Sequence, residues 1–132
     1  MDERAGRLLK EVWGFDAFRP GQEGIVAAVA EGRDVLAVMP TGGGKSLCFQ
    51  LPALLRDGLT VVVSPLIALM RDQVRSLRAA GVEAGALTSA NSEEENAGIR
   101  AALGEGRLRL LYLAPERLAQ AGTAAGLRRW GT

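Results

Sequence analysis

One stretch constrains this chain more than any other: Val35-Leu36-Ala37-Val38-Met39 runs straight into Pro40-Thr41-Gly42-Gly43-Gly44-Lys45-Ser46. A short, almost wholly apolar run closed by turn residues has the character of a strand buried on both faces of a parallel sheet. Three consecutive glycines let the main chain adopt dihedrals closed to other residues and approach an anion closely. Successive amide N–H groups of such a turn point into one concavity, and the helix that follows adds its positive end. In a loop of this kind Lys45 reaches the β- and γ-phosphates, and the Ser46 hydroxyl suits a Mg²⁺ coordination position. The strict pattern has Gly six residues before the Lys, where this chain has Met39. The competing reading is a Gly-rich turn that merely links strand to helix.

The rest of the chain alternates helix and strand. Leu8, Leu9, Val12 and Trp13 form an apolar stripe on a helix expected over residues 3–13. Pro20 is placed to open a second helix at its first position, with Ile25, Val26 and Val29 facing inward and Gly32 ending it. A strand is expected over 34–39, then a helix over 45–55 with Pro52 near its end. A second buried strand follows over 59–64 and a helix over 65–80. A weaker strand is expected over 83–88, and a fourth over 108–113. Between these two, Ser92-Glu93-Glu94-Glu95 has the spacing of a capping box, with three carboxylates at the positive end of a helix dipole. After Pro115 a short helix begins, and from Gln120 the Ala/Gly-rich segment resists assignment. Strand and helix in this order give parallel strands with crossover helices, hence an open α/β sheet.

Composition removes several chemistries. The 132 residues contain no His and one Cys, Cys48, so a Ser/His/Asp triad, a His-based metal site and a disulfide framework are excluded within the chain. Cys48 reads as a small buried hydrophobe. Net charge is +1, so a polyanion would be held by a local surface rather than by bulk charge. No apolar run approaches the roughly 20 residues that span a bilayer, and the start lacks the pattern of a signal peptide, so a cytoplasmic protein is expected.

Three further segments choose among nucleotide-binding classes. Trp13-Gly14-Phe15-Asp16-Ala17-Phe18-Arg19-Pro20-Gly21-Gln22 resembles the adenine-recognition motif of RecQ helicases. Val61-Val62-Val63-Ser64-Pro65-Leu66-Ile67-Ala68-Leu69-Met70-Arg71-Asp72-Gln73-Val74 is similar to helicase motif Ia in its RecQ form. Leu111-Tyr112-Leu113-Ala114-Pro115-Glu116-Arg117-Leu118 resembles the Ala-Pro-Glu-Arg-Leu segment of the same enzymes. The resemblance implies a P-loop NTPase fold of the RecA-like type, present as an incomplete lobe. It implies ATP and Mg²⁺ as ligands and DNA as partner. It also implies a 3'-5' unwinding motor of DNA repair and recombination; Ala-, Gly- and Arg-rich usage points to a bacterial source, and with it to a place at the nucleoid.

By that resemblance Gln22 reads the adenine edge, Arg19 lies against the base, and Phe15, where the family often has Tyr, stacks near it. Thr41, Gly42, Gly43, Gly44, Lys45 and Ser46 hold the phosphates and metal, with Lys45 catalytic. Ser64, Pro65 and Arg117 contact the DNA backbone. For Ser64 the rival role is a helix cap, and for Arg117 a solvated charge. Leu66, Ile67, Leu69 and Met70 read as core, and Glu116 as a cap. The loop Leu87-Thr88-Ser89-Ala90-Asn91 occupies the place of another family loop. Arg128, Arg129 and Trp130 form a candidate basic–aromatic patch.

The expected organisation is an adenine-recognition region over 1–33 and a partial RecA-like lobe over 34–132. The family's Asp-Glu box and second lobe are not found in these residues, so the chain by itself is expected to bind nucleotide weakly, to be inactive in hydrolysis and to be marginally stable. Rival functions are a small-molecule phosphotransferase and a non-catalytic nucleotide- or DNA-binding module. The first explains the Gly-rich loop but gives no reason for the segments around Gln22 and Ser64.

Overall fold

A computed structural model describes residues 3–39 and 44–118. Pro40 to Gly43, the segment from Gln120 onward and the patch Arg128, Arg129 and Trp130 lie outside the described residues. The chain divides into two compact units between Asp57 and Gly58.

The first unit is helical. α1 (Glu3–Leu8) continues as a π-helical turn (Leu9–Trp13), which Gly14 closes at φ 75°. α2 spans Gln22–Ala30 and α3 Leu47–Leu55. Their apolar faces meet in a core of Ala5, Leu9, Val26, Leu47 and Leu51, with Leu8, Trp13, Phe18 and Leu55 packed against it. Burying each large aliphatic side chain contributes about 1.5–3 kcal/mol. Arg4 donates to the carbonyls of Leu54 and Leu55 at 3.1 and 3.5 Å, satisfying acceptors that the end of α3 leaves open.

Two expectations fail here. Pro20 does not open α2, because Gly21 in a left-handed conformation (φ 86°) stands at its N-cap and the helix starts at Gln22. Residues 34–39 are not a strand, and Leu36 and Val38 are 93% and 91% exposed. A strand exists only through its ladder, and no described residue hydrogen-bonds to this segment as a sheet partner.

The second unit is a three-stranded parallel sheet with helical connections. β1 (Thr60–Val63) leads to α4 (Ile67–Ala79), β2 (Ala84–Leu87), α5 (Glu93–Gly104), β3 (Leu110–Leu113) and α6 (Pro115–Leu118). The strand order is β1-β3-β2, with Val63 and Leu87 both opposite Leu113. The central strand is buried along its whole length, Leu110 to Leu113 being at most 1% exposed. Leu59, Leu87, Ile99, Leu103, Leu108, Leu111 and Leu113 make the core. The buried Tyr112 hydroxyl donates to Gln73 Oε1 of α4 at 2.8 Å, so its polar end is satisfied inside the unit.

β1 was expected to be buried but is only half-buried, since it is an edge strand here, and Val63 is 48% exposed. Leu66 and Leu69, read as core, are likewise exposed, whereas Met70 is buried. The buried stripe of α4 runs through Met70, Val74 and Leu77; Leu69 lies off it, and Leu66 is the N-cap, outside the helix. The capping box is present as expected: Ser92 Oγ accepts from Glu95 N at 3.1 Å, and Glu95 Oε1 accepts from Ser92 N at 3.2 Å.

β2 closes its own open edge. The Glu83 carbonyl accepts from Arg109 N at 2.8 Å and therefore faces β3. Carbonyls alternate along a strand, so those of Ala84 and Ala86 face away from the sheet. Arg78 Nε donates to the first at 2.7 Å and Asn91 Nδ2 to the second at 2.6 Å. An edge that would otherwise template strand pairing is covered by side chains.

Candidate nucleotide and nucleic-acid sites

In the first unit the two stretches singled out for a nucleotide touch. Arg19 and Gln22 flank the turn into α2, and Arg19 N donates to Gln22 Oε1 at 2.7 Å. Gln22 is 5% exposed, and its Nε2 donates to the Gly44 carbonyl at 3.2 Å. Gly44 has φ 78°, and a Cβ built on it would lie 2.2 Å from Gln22 Nε2. The backbone conformation there favours glycine, and a Cβ would in addition push the Gln22 amide from its place. Cys48 Sγ, in the first turn of α3, also donates to the Gly44 carbonyl at 3.7 Å. Burial pushes the Cys48 thiol up, which agrees with a packed rather than a reactive sulfur.

Lys45 and Ser46 wind directly into α3. Cys48 N donates to the Lys45 carbonyl at 3.1 Å and Gln50 N to the Ser46 carbonyl at 2.9 Å. Lys45 is exposed and Ser46, at the N-cap of α3, is half-buried. Phe15 is 50% exposed and Arg19 is exposed, so both present surface to solvent at the start of the Gln22 turn. Thr41, Gly42 and Gly43 lie outside the described residues.

The donor set fits a magnesium–triphosphate. It offers a hydroxyl and an ammonium at a helix start, beside a glycine whose missing side chain admits the Gln22 amide. Among the described residues no group of three or more His, Cys, Asp or Glu is placed to hold a metal by itself. A cation here would depend on Ser46 and on the phosphates.

In the second unit Ser64, Pro65 and Arg117 lie at the carboxyl ends of neighbouring strands, the edge where open α/β sheets bind ligands. Ser64 N donates to the Leu113 carbonyl at 3.0 Å, and its Oγ accepts from Leu66 N at 3.2 Å. That bond turns the chain toward α4, although the N-cap itself is Leu66 and has no side-chain cap. Pro65 is exposed, and Arg117 is half-buried with its N–H on the Ala114 carbonyl at 3.0 Å. Glu116 is exposed in the first turn of α6.

A cluster that sequence reasoning missed adjoins this edge. Arg71 Nη1 donates to the Ala90 carbonyl at 3.3 Å and to Asn91 Oδ1 at 3.4 Å, and Arg71 Nη2 to Glu95 Oε2 at 3.4 Å. It stands at the rim of a cavity of about 700 Å³ that Arg78, Asn91, Glu95 and Ile99 also line. Nothing local in the sequence links Arg71 to Glu95, 24 positions away.

Comparison with known proteins gives concordant results. A family model described as DEAD/DEAH box helicase matches residues 19–129. The ATP-dependent DNA helicase RecQ of Haemophilus influenzae is 50% identical over 111 residues, which are 84% of this chain and 18% of that protein. RecQ of Synechocystis is 53% identical over 110 residues, 83% of this chain and 23% of that protein. The chain thus spans about a fifth of the length of the curated relatives it matches. Among solved structures, the DUF1998 helicase MrfA bound to DNA superposes with a TM-score of 0.71 at 22% identity, covering 92% of this chain and 18% of that one. A hypothetical ATP-dependent RNA helicase from Sulfolobus tokodaii gives 0.64 at 20% identity, covering 96% and 38%. At such identities the two structures speak to the fold, a partial RecA-like α/β sheet.

Proposed function

The chain belongs to the DEAD/DEAH box helicase family, and from that membership we propose that it is the ATP-binding and DNA-contacting part of a RecQ-type ATP-dependent DNA helicase. The observation that carries the reading is the 3.2 Å bond from Gln22 to the Gly44 carbonyl. It joins a segment expected to read a base to a segment expected to hold its phosphates, 22 positions apart. A small-molecule phosphotransferase gives no reason for that junction.

In this reading Lys45 is the catalytic cation, drawn to the β- and γ-phosphates, while the main chain of Thr41, Gly42, Gly43 and Gly44 cradles them. Ser46 Oγ holds Mg²⁺. With ATP bound, an ion held there would supply neutralisation of the charge that develops on the phosphates. Gln22 keeps one amide hydrogen and one lone pair beyond its bonds to Gly44 and Arg19. That donor–acceptor pair matches the adenine edge and mismatches guanine. Arg19 lies against the base and Phe15 supplies an exposed stacking face.

Ser64, Pro65 and Arg117 take the DNA backbone, contacts that position the strand without reading its sequence. In the full-length protein a second RecA-like lobe completes the cleft, and closure on ATP shifts the lobes' grip on one strand. No helix among the described residues is long and apolar enough to cross a membrane. The reading puts the motor with its DNA, in the cytoplasm at the nucleoid.

The test is ATP hydrolysis by the full-length protein with and without single-stranded DNA. Stimulation by DNA is expected, as is loss of hydrolysis and unwinding in Lys45→Ala with DNA binding retained. Turnover indifferent to DNA, or undiminished in Lys45→Ala, contradicts the assignment.

A further inference from the structure

We propose that Arg71 is a positioning residue for the DNA-contacting edge, holding the loop between β2 and α5 in register with the Ser64–Pro65 turn. The inference rests on the DNA reading of that edge. It begins from the sheet itself. All three strands are parallel, so the segments that follow β1, β2 and β3 emerge at one edge. Ser64 follows β1, Pro115 follows β3, and Thr88 to Asn91 follow β2, with neighbouring strands about 4.8 Å apart. A phosphodiester backbone laid across this edge meets all three segments.

The β2 segment is held rather than loose. Asn91 uses both ends of its amide: Nδ2 donates to the Ala86 carbonyl at 2.6 Å and to Asn96 Oδ1 at 2.9 Å, and Oδ1 accepts from Thr88 Oγ1 at 3.0 Å. Thr88 Oγ1 in turn accepts from Ala90 N at 3.2 Å. What remains outward is Ser89 with Ala90, both exposed. All of these bonds lie within the loop, the end of β2 and the first turn of α5. Among the described residues, Arg71 is the side chain that reaches in from α4, the helix that opens just after Ser64 and Pro65. Its planar guanidinium spans three acceptors at once, the Ala90 carbonyl, Asn91 Oδ1 and Glu95 Oε2. A lysine ammonium is a point charge on a flexible stem and does not reproduce that fork.

Arg71 also faces an electrostatic problem. Glu93, Glu94 and Glu95 crowd the start of α5, where the capping box occupies the Ser92 and Glu95 N–H groups. Three carboxylates so placed repel a phosphate laid near this helix end. Arg71 pairs with Glu95, whose other carboxylate oxygen accepts from Ser92 N. Geometry and charge make different predictions for the conservative variant, which lets them be told apart.

The experiment measures DNA-stimulated ATP hydrolysis of the full-length protein as a function of single-stranded DNA, with hydrogen exchange of residues 88–92 in parallel. In Arg71→Ala the DNA concentration giving half-maximal stimulation is expected to rise about tenfold, corresponding to about 1.4 kcal/mol, with kcat at saturating DNA within about twofold of wild type. Exchange at 88–92 is expected to quicken. Arg71→Lys is expected to retain most of the defect. Should Arg71→Ala fold poorly, Glu95→Gln, which keeps the arginine and removes one of its three acceptors, is expected to shift half-saturation two- to threefold in the same direction.

Full rescue by Arg71→Lys, faster exchange with unchanged half-saturation, or a fall in kcat alone each overturns the positioning role. Ser64→Ala separates the two levels. If it weakens DNA stimulation while Arg71→Ala does not, the Arg71 inference fails and the DNA edge stands. If neither matters, both fail.

Discussion

Gly44 carries two demands that no other residue type meets together: a φ of 78° and room for Gln22 Nε2 where a Cβ would stand. The left-handed conformation alone costs an L-residue about 1–2 kcal/mol, and the clash adds to it. Gly44→Ala is therefore expected to lower the melting temperature and weaken ATP binding. Gln22→Ala in the same background should recover the part of the loss that comes from the clash and leave the part that comes from φ. Equal stability of Gly44→Ala and wild type would contradict the geometry. The expectation for Lys45, Ser46 and the glycines could be formed from the sequence because the chemistry it invokes is local: one loop, read in order. The contact between Gln22 and Gly44 was not, since nothing in either stretch states that its partner lies 22 residues away. Arg71 and Arg78 went unnoticed for the same reason. A lone Arg on a helix reads as a solvated charge until the acceptors opposite it are known.

Elements were legible where the signal was local and misread where it depended on neighbours. The capping box at Ser92 needs only its own four residues, and it formed as expected. Ser92→Ala should cost about 1 kcal/mol in chemical denaturation. Residues 34–39 show the opposite case. Their apolar run is what a doubly covered strand looks like, yet the described residues offer it neither ladder nor cover. The weak signal over β2 belongs to a strand that is buried throughout, because small Ala84, Gly85 and Ala86 allow close packing, with Ile99 against Gly85. That strand's outer carbonyls are held by side chains, so Arg78→Ala should open one of them. Increased self-association in sedimentation velocity is expected. A variant as monodisperse as wild type would show that the cap does not matter.

At the scale of the molecule, two units each carry a core of their own. Protection against hydrogen exchange follows burial and ladder bonding. The slowest amides of the second unit are expected in the fully buried Leu110–Leu113 strand, and those of residues 34–39 should exchange near the rate of open chain. The parallel α/β class was legible from the alternation of strand and helix, whereas the order β1-β3-β2 was not, because order depends on crossovers that local patterns do not encode. In the proposed function Gln22 and Lys45 serve one nucleotide, the first choosing its base and the second holding its phosphates. Equilibrium binding of ATP and GTP, with Mg²⁺, to the full-length protein and its Gln22→Ala and Lys45→Ala variants measures this directly. Loss of a charge-assisted contact of about 1.5–3 kcal/mol predicts that Lys45→Ala weakens both nucleotides at least tenfold, while Gln22→Ala weakens ATP and leaves GTP nearly unchanged. Unaltered ATP affinity in Lys45→Ala, or an equal loss of ATP and GTP in Gln22→Ala, would contradict it.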